Sequence, residues 1–517
     1  MDRGIGRWVT RRARVTPEVT ALVAGERRLT FAELDERTNR LARALVDRLG
    51  VRRGDRVAVL LLNSIEFMET LFACAKLGAI FVPINFRLAP PEIGYVLADS
   101  GADVFVVHGP LAAAGRAART EPGARVRHTL VVEGDPDTVE HGYEDIVAAG
   151  SPQAVDFDVD PRDIAMIMYT SGTTGRPKGA MLTHANTIAN ARNQSAASGR
   201  GLREGDVTIT AAPMFHIGGL GVHTLPLVYV GGTSVLVSKF DPAETLALMA
   251  RERVTVEFLV PAMWAALMRV PGFDSHDLSA LELAISGGAP TPLTVLDFFQ
   301  SRGVPFQEGF GMTETAPGAT MLDAAHVKEK NGSIGRPLFA VEARIVDEDD
   351  RDVPAGTVGE LVLRGENIFA GYWMLPEATA EAFRGGWFHT GDLGRSDDEG
   401  FITLVDRKKD MIITGGENVY PVEVEQVLYR CPGVREVAVA GVPDERWGET
   451  VIAVVAAEDG ADLTADGVIA YARDRLAHFK CPTRVEFVAE LPRNATGKVL
   501  KTELRGRYGG ARAAVSR

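Results

Sequence analysis

The strongest constraint on the fold is an alternation of short apolar runs with a helical pattern in the first third of the chain. Residues 56–62 and 79–84 have the composition of buried strands, and residues 64–77 between them carry apolar side chains at helical spacing. Gly78 is placed to close that helix. Strand, helix and strand at this spacing predict parallel strands with helices over both faces of the sheet, which is an α/β fold.

Two later changes of pattern predict further units. Between Val341 and Arg364, two strand-like runs flank a charged turn at 347–356, which indicates a hairpin in a small antiparallel, barrel-like subdomain. A last unit has its own strand and helix patterns over roughly a hundred residues, enough for a separate domain. We therefore predict a large N-terminal domain of doubly wound mixed sheets with that subdomain, residues 1–408. A small mobile α+β C-terminal domain, residues 409–517, follows it.

Composition and charge exclude several classes of protein. The formal net charge of −13 argues against nucleic acid as a main partner, because phosphate backbones attract excess Lys and Arg. Cys74, Cys431 and Cys481 are far apart and lack metal-ligand spacing, so we expect reduced thiols in a cytoplasmic protein. The N-terminus has no signal-peptide pattern, and the apolar runs are too short or too Gly-broken for a transmembrane segment. The sequence leaves the oligomeric state open, a homodimer included.

The most informative stretch is residues 169–179, which follow an apolar strand pattern. It combines three glycines, four Ser or Thr hydroxyls and two cations. Glycines let backbone N–H groups approach an anion, hydroxyls donate further hydrogen bonds, and Lys178 adds charge. The stretch fits neither the Walker A loop nor the Gly-x-Gly-x-x-Gly fingerprint. It therefore predicts phosphate binding of another kind, through Thr170, Ser171, Gly172, Thr173, Thr174, Gly175 and Lys178.

Seven further motifs follow in the order of one known family. They are Pro213-Met214-Phe215-His216, Ser286-Gly287-Gly288-Ala289-Pro290, Gly309-Phe310-Gly311-Met312-Thr313-Glu314, Thr390-Gly391-Asp392, Asp406-Arg407-Lys408-Lys409-Asp410, Gly415-Gly416-Glu417-Asn418, and Pro492-Arg493-Asn494-Ala495-Thr496-Gly497-Lys498. With the loop, they make the chain resemble the adenylate-forming superfamily from about Ala21 to Leu504. That superfamily contains acyl-CoA synthetases, non-ribosomal peptide adenylation domains and beetle luciferases. The resemblance implies an AMP-forming acyl-CoA synthetase.

The resemblance also implies the substrates and the nucleotide site. ATP, CoA and a small carboxylic acid would be the substrates, with Mg²⁺ as cofactor. Phe310 would stack on adenine, Thr313 would touch the α-phosphate, and Glu314 would help hold Mg²⁺. Asp392 and Arg407 would contact the ribose. The implied ATP/AMP-binding set adds to the loop residues Gly288, Ala289, Pro290, Glu308, Gly309, Phe310, Gly311, Met312, Thr313, Asp392, Arg407 and Lys498.

Domain movement is a further implication of the resemblance. The C-terminal domain would turn about a hinge at Lys409 between adenylation and thioester formation. Lys498 would act in adenylation together with Thr313 and Glu314, and Gly415 and Gly416 would then line the CoA channel. His216 would gate and position the acyl group between the acyl pocket and the thiol tunnel, and a general-base role for it stays open. A dedicated base is not required, because a thiol is already partly ionised at neutral pH.

The acid is the least constrained part of the prediction. The acyl pocket is assigned to His216, Gly218, Gly219, Trp264, Gly287 and Gly311, and the glycines are expected to leave room for a bulky or extended acyl group. Trp264 is interpreted either as the far wall of the pocket or as a core residue. A medium- or long-chain fatty acid is favoured, with a feruloyl- or cinnamoyl-type aryl acid as the alternative.

Four other activities remain to be weighed. An amino-acid adenylation domain would place an Asp near this motif to hold the α-amine, and residues 215–219 contain none. A luciferase-type oxygenase has no feature in its favour. A catalytically silent nucleotide-binding regulator would be expected to have lost Lys498 or Glu314, and this chain keeps both. A ligase that passes its acyl-adenylate to a carrier protein stays open.

Overall fold

The structure is a computed structural model that describes most of the chain. It covers residues 4–155, 157–170, 176–197, 200–407, 410–414, 417–444, 446–458, 460–493 and 499–509, with only the backbone described at Arg407 and Asn418. By its internal contacts the chain divides into two compact units. The first comprises residues 1–343 and 363–388, and the second comprises residues 344–362 and 389–517. The predicted boundary at 408/409 falls on residues outside the described part and stays a prediction.

The centre of the first unit is a seven-stranded sheet in which all neighbours are parallel except the last pair. Its strands, in spatial order, are Glu140–Gly142, His128–Val132, Val104–His108, Arg56–Leu60, Ile80–Pro83, Ile164–Thr170 and Lys178–Thr183. The strands predicted at 56–62 and 79–84 are confirmed with slightly shorter bounds. Residues 57–60 and 81–82 are fully buried, as the apolar runs require.

Two more sheets belong to the first unit. A four-stranded sheet has the order Val207–Thr210, Thr233–Leu236, Thr20–Ala24 and Arg27–Thr30. A five-stranded sheet has the order Val256–Leu259, Leu283–Gly287, Phe306–Gly311, Gly318–Leu322 and Arg336–Pro337, and its first three strands are parallel. The ends of those parallel strands carry several of the motif residues.

The predicted hairpin is also confirmed. Strands Val341–Val346 and Gly359–Gly365 are neighbours in a sheet that continues through Trp387–Ser396, which in turn pairs with Phe383–Arg384 and Ile402–Arg407. The last sheet of the second unit has the order Glu417–Val419, Ile412–Thr414, Gly448–Ala457 and Val434–Asp444, with Arg484–Phe487 parallel to Gly448–Ala457. The α/β fold class with an antiparallel subdomain and a small α+β unit is thus confirmed.

The helices follow the sequence signals that start and stop them. Thr30 caps the helix Phe31–Asp47 reciprocally with Glu33, and Ser64 caps Ile65–Leu77, which ends at Gly78 in a left-handed conformation (φ 71°). Among the described residues, no helix is both long enough and apolar enough to cross a membrane. The remaining α-helices of at least six residues are Gly6–Val15, Pro90–Ser100, Ala112–Ala118, Tyr143–Ala149, His184–Ser195, Leu225–Val230, Pro242–Arg251, Pro261–Met268, Leu293–Gln300, Pro376–Ala382, Pro421–Leu428, Ala465–Arg473 and Lys501–Tyr508.

Candidate active site

The flanks of the predicted phosphate loop form an antiparallel hairpin in which Thr170 lies opposite Lys178. The loop residues Ser171, Gly172, Thr173, Thr174 and Gly175 lie outside the described residues. The strand before the loop is held to the helix Pro90–Ser100, because the Tyr169 hydroxyl donates to Asp99 Oδ2 at 2.6 Å. The strand after it is held to the same helix by the Tyr95 hydroxyl, which donates to the Pro177 carbonyl at 3.1 Å. One helix therefore fixes both ends of the loop.

The residues predicted to enclose adenine lie at the ends of two neighbouring parallel strands. Gly287 is in register with Gly309, so the exposed segment Gly288–Pro290 follows one strand where Phe310 lies in the other. Phe310 is only half-buried, which leaves ring surface for stacking. Sequence distance separates these residues, and the parallel register brings them together.

The Glu308 side chain holds the backbone next to the predicted adenine wall. Its Oε1 accepts a hydrogen bond from the Thr291 N–H at 2.8 Å, directly after Gly288–Pro290. Burial raises the pKa of the Glu308 carboxyl, and Oε2 has no partner among the described residues. The described contact of the side chain therefore fixes the backbone that follows the adenine wall.

Glu314 is buried and is held by Tyr372, whose hydroxyl donates to Oε1 at 2.9 Å. The same tyrosine ring lies 5.1 Å from Lys178 Nζ, a cation–π distance. Backbone bonds from residues 370–373 join this tyrosine to the strand Lys178–Thr183, including Trp373 N to Gly179 O at 2.7 Å. Tyr372 thus connects the loop lysine to the predicted metal-binding carboxylate. Thr313, next to Glu314, is partly exposed.

His216 is exposed at its ring surface, although surrounding protein lowers its pKa by desolvation. Its Nδ1 accepts the Gly218 N–H at 3.3 Å. The neutral ring therefore carries its proton on Nε2, which makes the free nitrogen a hydrogen-bond donor. This tautomer suits positioning and leaves no basic nitrogen facing outward.

The glycines of the predicted acyl pocket do not all provide space, which corrects the sequence interpretation. A Cβ at Gly311 would lie 1.7 Å from the Pro317 carbonyl oxygen, and a Cβ at Gly219 would lie 2.4 Å from the Pro213 carbonyl oxygen. At Gly287 the nearest atom, the Gly309 carbonyl oxygen, would be 2.8 Å away. These three glycines allow backbone segments to approach one another closely. Gly218 differs, because its nearest neighbour would be at 3.5 Å.

Trp264 belongs to the core. It is fully buried, its indole N–H donates to the Ile285 carbonyl at 3.1 Å, and its ring lies against Phe299 and Phe306 at 4.9 and 5.2 Å. Of the two interpretations that the sequence left open, the core residue is the one that matches this packing. Trp264 is therefore removed from the acyl pocket.

The second unit contains the predicted ribose contacts. Asp392 is buried, its backbone N–H donates to the Thr390 hydroxyl at 3.0 Å, and it is in register with Arg407 on the adjacent strand. The side chain of Arg407 is not among those described. Lys409, Gly415, Gly416 and Lys498 also lie outside the described residues. On either side of the segment with Lys498, Arg493 and Val499 form an isolated antiparallel bridge.

Two residues with a place in this site were missed by sequence reasoning. Tyr372 lies between motifs, and Asn63 lies far upstream of Pro213-Met214-Phe215-His216. The Asn63 side chain accepts the Met214 N–H at 2.8 Å and donates to the carbonyls of Thr210 and Ala212, so it holds the segment that presents His216. A lone Tyr or Asn gives no sequence signal that distinguishes it from an ordinary surface or capping residue.

Comparison with known families agrees with this arrangement. Residues 9–373 match the AMP-binding enzyme family, and residues 423–498 match the AMP-binding enzyme C-terminal domain. The chain is 46% identical to a feruloyl-CoA synthase of Amycolatopsis sp over 508 residues, which cover 98% of this chain and 100% of the relative. It is 38% identical to a long-chain fatty acid–CoA ligase of Mycobacterium tuberculosis, over 98% of this chain and 99% of that protein.

A solved structure agrees over nearly the whole chain. The o-succinylbenzoate CoA synthetase of Bacillus subtilis, in complex with its acyl-adenylate intermediate, has a TM-score of 0.85 and 32% identity, and 98% of each chain is covered. The same synthetase has been solved with ATP and a magnesium ion. With the motif order, the strand-end geometry and these likenesses in agreement, the chain belongs to the AMP-binding enzyme family and is an AMP-forming acyl-CoA synthetase.

Proposed function

We propose that the enzyme joins an aryl carboxylic acid of the feruloyl or cinnamoyl type to CoA through an acyl-AMP intermediate. The observation that carries this choice is the wall formed by Phe258 between two glycines. Phe258 ring atoms lie 3.5 and 3.3 Å from where Cβ atoms would be at Gly218 and Gly287. A flat ring bordered by glycines suits a planar acyl group, because aromatic rings gain from stacked or edge contacts. The 46% identity to proteins named feruloyl-CoA synthase supports the same choice.

In the first half-reaction the acid carboxylate attacks the α-phosphate of ATP and pyrophosphate leaves. We assign adenine stacking to Phe310 and the opposite wall to Gly288–Pro290. We assign contact with the α-phosphate to Thr313 and the charge on the phosphates to Lys178 and Lys498. No enzyme nucleophile is needed, since positioning and electrostatic stabilisation account for the catalysis.

The residues present fit a magnesium ion that arrives with ATP. Among the described residues, no three or more His, Cys, Asp or Glu side chains are grouped as metal ligands. Mg²⁺ needs only one or two protein carboxylates, because phosphates and waters complete its coordination shell. Glu314 would supply that carboxylate, oriented by the Tyr372 hydroxyl. When bound, the ion would neutralise charge on the phosphate oxygens.

In the second half-reaction the CoA thiolate attacks the acyl-adenylate carbonyl and AMP leaves. We assign the CoA channel to Gly415 and Gly416, and the hinge that exposes it to Lys409. His216 would donate from Nε2–H and so position the acyl group. Its Nδ1 is engaged by the Gly218 N–H, so we give His216 no role as a general base.

A medium- or long-chain fatty acid is the second candidate. The 38% identity to a long-chain fatty acid–CoA ligase over 98% of this chain favours it. Its weakness is that backbone atoms fill the Cβ positions of Gly219, Gly287 and Gly311, so these glycines are no longer an argument for the room that an extended alkyl chain requires. Transfer to a carrier protein is the alternative to CoA as acceptor.

A panel of acids tests the proposal. Cinnamic, benzoic and C8 to C16 alkanoic acids would be supplied separately with Mg-ATP, with and without free CoA, and pyrophosphate, AMP and thioester would be measured. Glu314→Gln serves as the inactive control. We expect cinnamates to give the highest kcat/KM and an AMP-dependent CoA thioester. Preference for alkanoic acids would replace the aryl proposal by the second candidate, and adenylation without thioester would point to a carrier protein.

A further inference from the structure

The backbone that carries Asp392 is hydrogen-bonded to side chains and carbonyls of its own sheet. Residues 390–392 are called the ribose segment here, because Asp392 is the predicted ribose contact. The Thr390 hydroxyl donates to the Leu361 carbonyl on the neighbouring strand at 2.7 Å and accepts the Asp392 N–H at 3.0 Å. One hydroxyl group thus joins the residue before the ribose contact, the ribose contact itself and the adjacent strand.

A buried carboxylate holds the middle of the ribose segment. Gly391 has a left-handed conformation (φ 71°), which departs from the extended backbone of a strand. Its N–H donates to Glu360 Oε1 at 3.3 Å, and Glu360 is buried. Hydrogen bonds to an ionised acceptor are stronger than those to a neutral one. The Glu360 side chain therefore fixes the backbone directly before Asp392.

The second oxygen of this carboxylate faces a histidine. His389 Nδ1 lies 3.3 Å from Glu360 Oε2, and the two side chains are 6% and 8% exposed. On the other side of the ring, Nε2 lies 3.7 Å from Asp350 Oδ1. The two oxygens of Glu360 thus meet different groups, Gly391 N–H and the imidazole. His389 thereby keeps the carboxylate turned so that Oε1 reaches the ribose segment.

The position of Asp392 matters because of the geometry of a ribose. An ionised carboxylate has two oxygens and only accepts hydrogen bonds. The 2′- and 3′-hydroxyls of a ribose are neighbouring donors, so one carboxylate can accept from both when it is held in place. A displacement of about 1 Å is enough to weaken such paired contacts. Asp392 is buried and in register with Arg407, which limits its movement further.

We propose that Glu360 and His389 are positioning residues for ATP, which hold the ribose segment so that the Asp392 carboxylate meets both ribose hydroxyls. This inference rests on the predicted ribose contact of Asp392, and it is independent of which acid the enzyme activates. Loss of either side chain should weaken ATP binding through the ribose and leave the contacts of adenine and the phosphates in place.

Direct nucleotide binding tests this role without any acid. Mg-ATP and Mg-2′,3′-dideoxy-ATP would be titrated separately into the whole enzyme by calorimetry, and the ratio of the two Kd values measures recognition of the ribose hydroxyls. The variants are Glu360→Ala, Glu360→Gln and His389→Leu, with Asp392→Ala as the reference for loss of the ribose contact. His389→Leu keeps a side chain of similar size, so it remains informative if Glu360→Ala fails to fold.

Glu140→Ala is the matched control. Glu140 is as buried as Glu360, and it also joins a backbone N–H to a basic side chain. Its Oε2 accepts the Asp137 N–H at 2.9 Å and lies 2.8 Å from an Arg116 nitrogen. Because this glutamate belongs to the first unit and not to the sheet of the ribose segment, its loss reports only on the general stability of the fold.

We expect the wild type to bind ATP about 10- to 100-fold more tightly than dideoxy-ATP, as for hydrogen bonds to a charged group. Glu360→Ala and His389→Leu should bring this ratio close to one through a larger Kd for ATP, with little change for dideoxy-ATP. Glu360→Gln should recover most of the ratio, because its amide oxygen can still accept the Gly391 N–H. Glu140→Ala should keep the wild-type ratio.

The outcomes separate this inference from the prediction beneath it. A wild-type ratio in Glu360→Ala or His389→Leu, or an equal loss of affinity for both nucleotides, overturns the positioning role while the ribose contact of Asp392 stands. Equal affinity of the wild type for both nucleotides, or an unchanged ratio in Asp392→Ala, overturns the ribose contact and this inference with it. The proposed acid is tested separately by the acid panel.

Discussion

Replacing Tyr372 by Phe tests the hydrogen bond that this tyrosine donates to the predicted metal-binding carboxylate. The substitution removes the hydroxyl that donates to Glu314 Oε1 at 2.9 Å and keeps the ring that faces Lys178 at 5.1 Å. A hydrogen bond to a charged group contributes about 1.5–3 kcal/mol. Because a tenfold change in rate corresponds to about 1.4 kcal/mol, we expect adenylation to slow by about 10- to 100-fold and to require more Mg²⁺.

The assay separates the two half-reactions. Adenylation would be followed by ATP–pyrophosphate exchange over a Mg²⁺ titration, and thioester formation from supplied acyl-adenylate and CoA would be measured in parallel. Tyr143→Phe is the matched control, since the Tyr143 hydroxyl also donates to a carboxylate, Glu69 Oε2 at 3.1 Å, away from the proposed site. Wild-type exchange in Tyr372→Phe, or an equal loss in both half-reactions, would refute the positioning role.

Three further predictions concern other parts of the molecule. Lys498→Ala should slow pyrophosphate exchange by roughly two to three orders of magnitude and leave thioester formation from supplied acyl-adenylate unchanged. Equal losses in both half-reactions would contradict the proposed turn of the C-terminal domain between them. Gly311→Ala should lower unfolding free energy by about 1–3 kcal/mol through overlap with the Pro317 carbonyl, whereas Gly218→Ala should not, as thermal unfolding can check. Burial lowers the pKa of His184 to about 4. The free energy of unfolding in urea should therefore fall between pH 6.5 and pH 4. The fall should be smaller in His184→Asn than in the wild type by on the order of 3 kcal/mol.

The sign of that last prediction follows from the proton balance. His184 is buried and neutral in the folded protein, while an unfolded histidine has its ordinary pKa of about 6.5. Between these two values the unfolded state binds more protons than the folded state, so acid favours unfolding there. A pH-independent difference between wild type and His184→Asn would show that the histidine contributes only packing.

Local signals were sufficient for most of the secondary structure. Gly78 predicts where the helix Ile65–Leu77 ends, because glycine adopts the left-handed conformation that closes a helix (φ 71°) without steric cost. The apolar runs at 56–62 and 79–84 predict buried parallel strands because both faces of such strands are covered. The motif order was likewise sufficient for the family. In each case the decisive interaction lies within a few residues or within one motif.

Tertiary structure decided the roles of single side chains. A glycine in the sequence is compatible with open space or with a close approach of the backbone. The positions of the Pro317 and Pro213 carbonyls show that Gly311 and Gly219 allow a close approach. Trp264 was equally compatible with pocket and core until its neighbours Phe299 and Phe306 placed it in the core.

The sequence by itself determined the α/β fold class, the order of the elements and the chemistry of acid activation. Only the folded chain brought Tyr372 to Glu314 and Asn63 to Met214, because these contacts join residues that are far apart in the sequence. Local sequence patterns reflect the backbone conformation that each residue favours around itself. Which distant groups share a buried site depends on strand register and on the packing of whole elements.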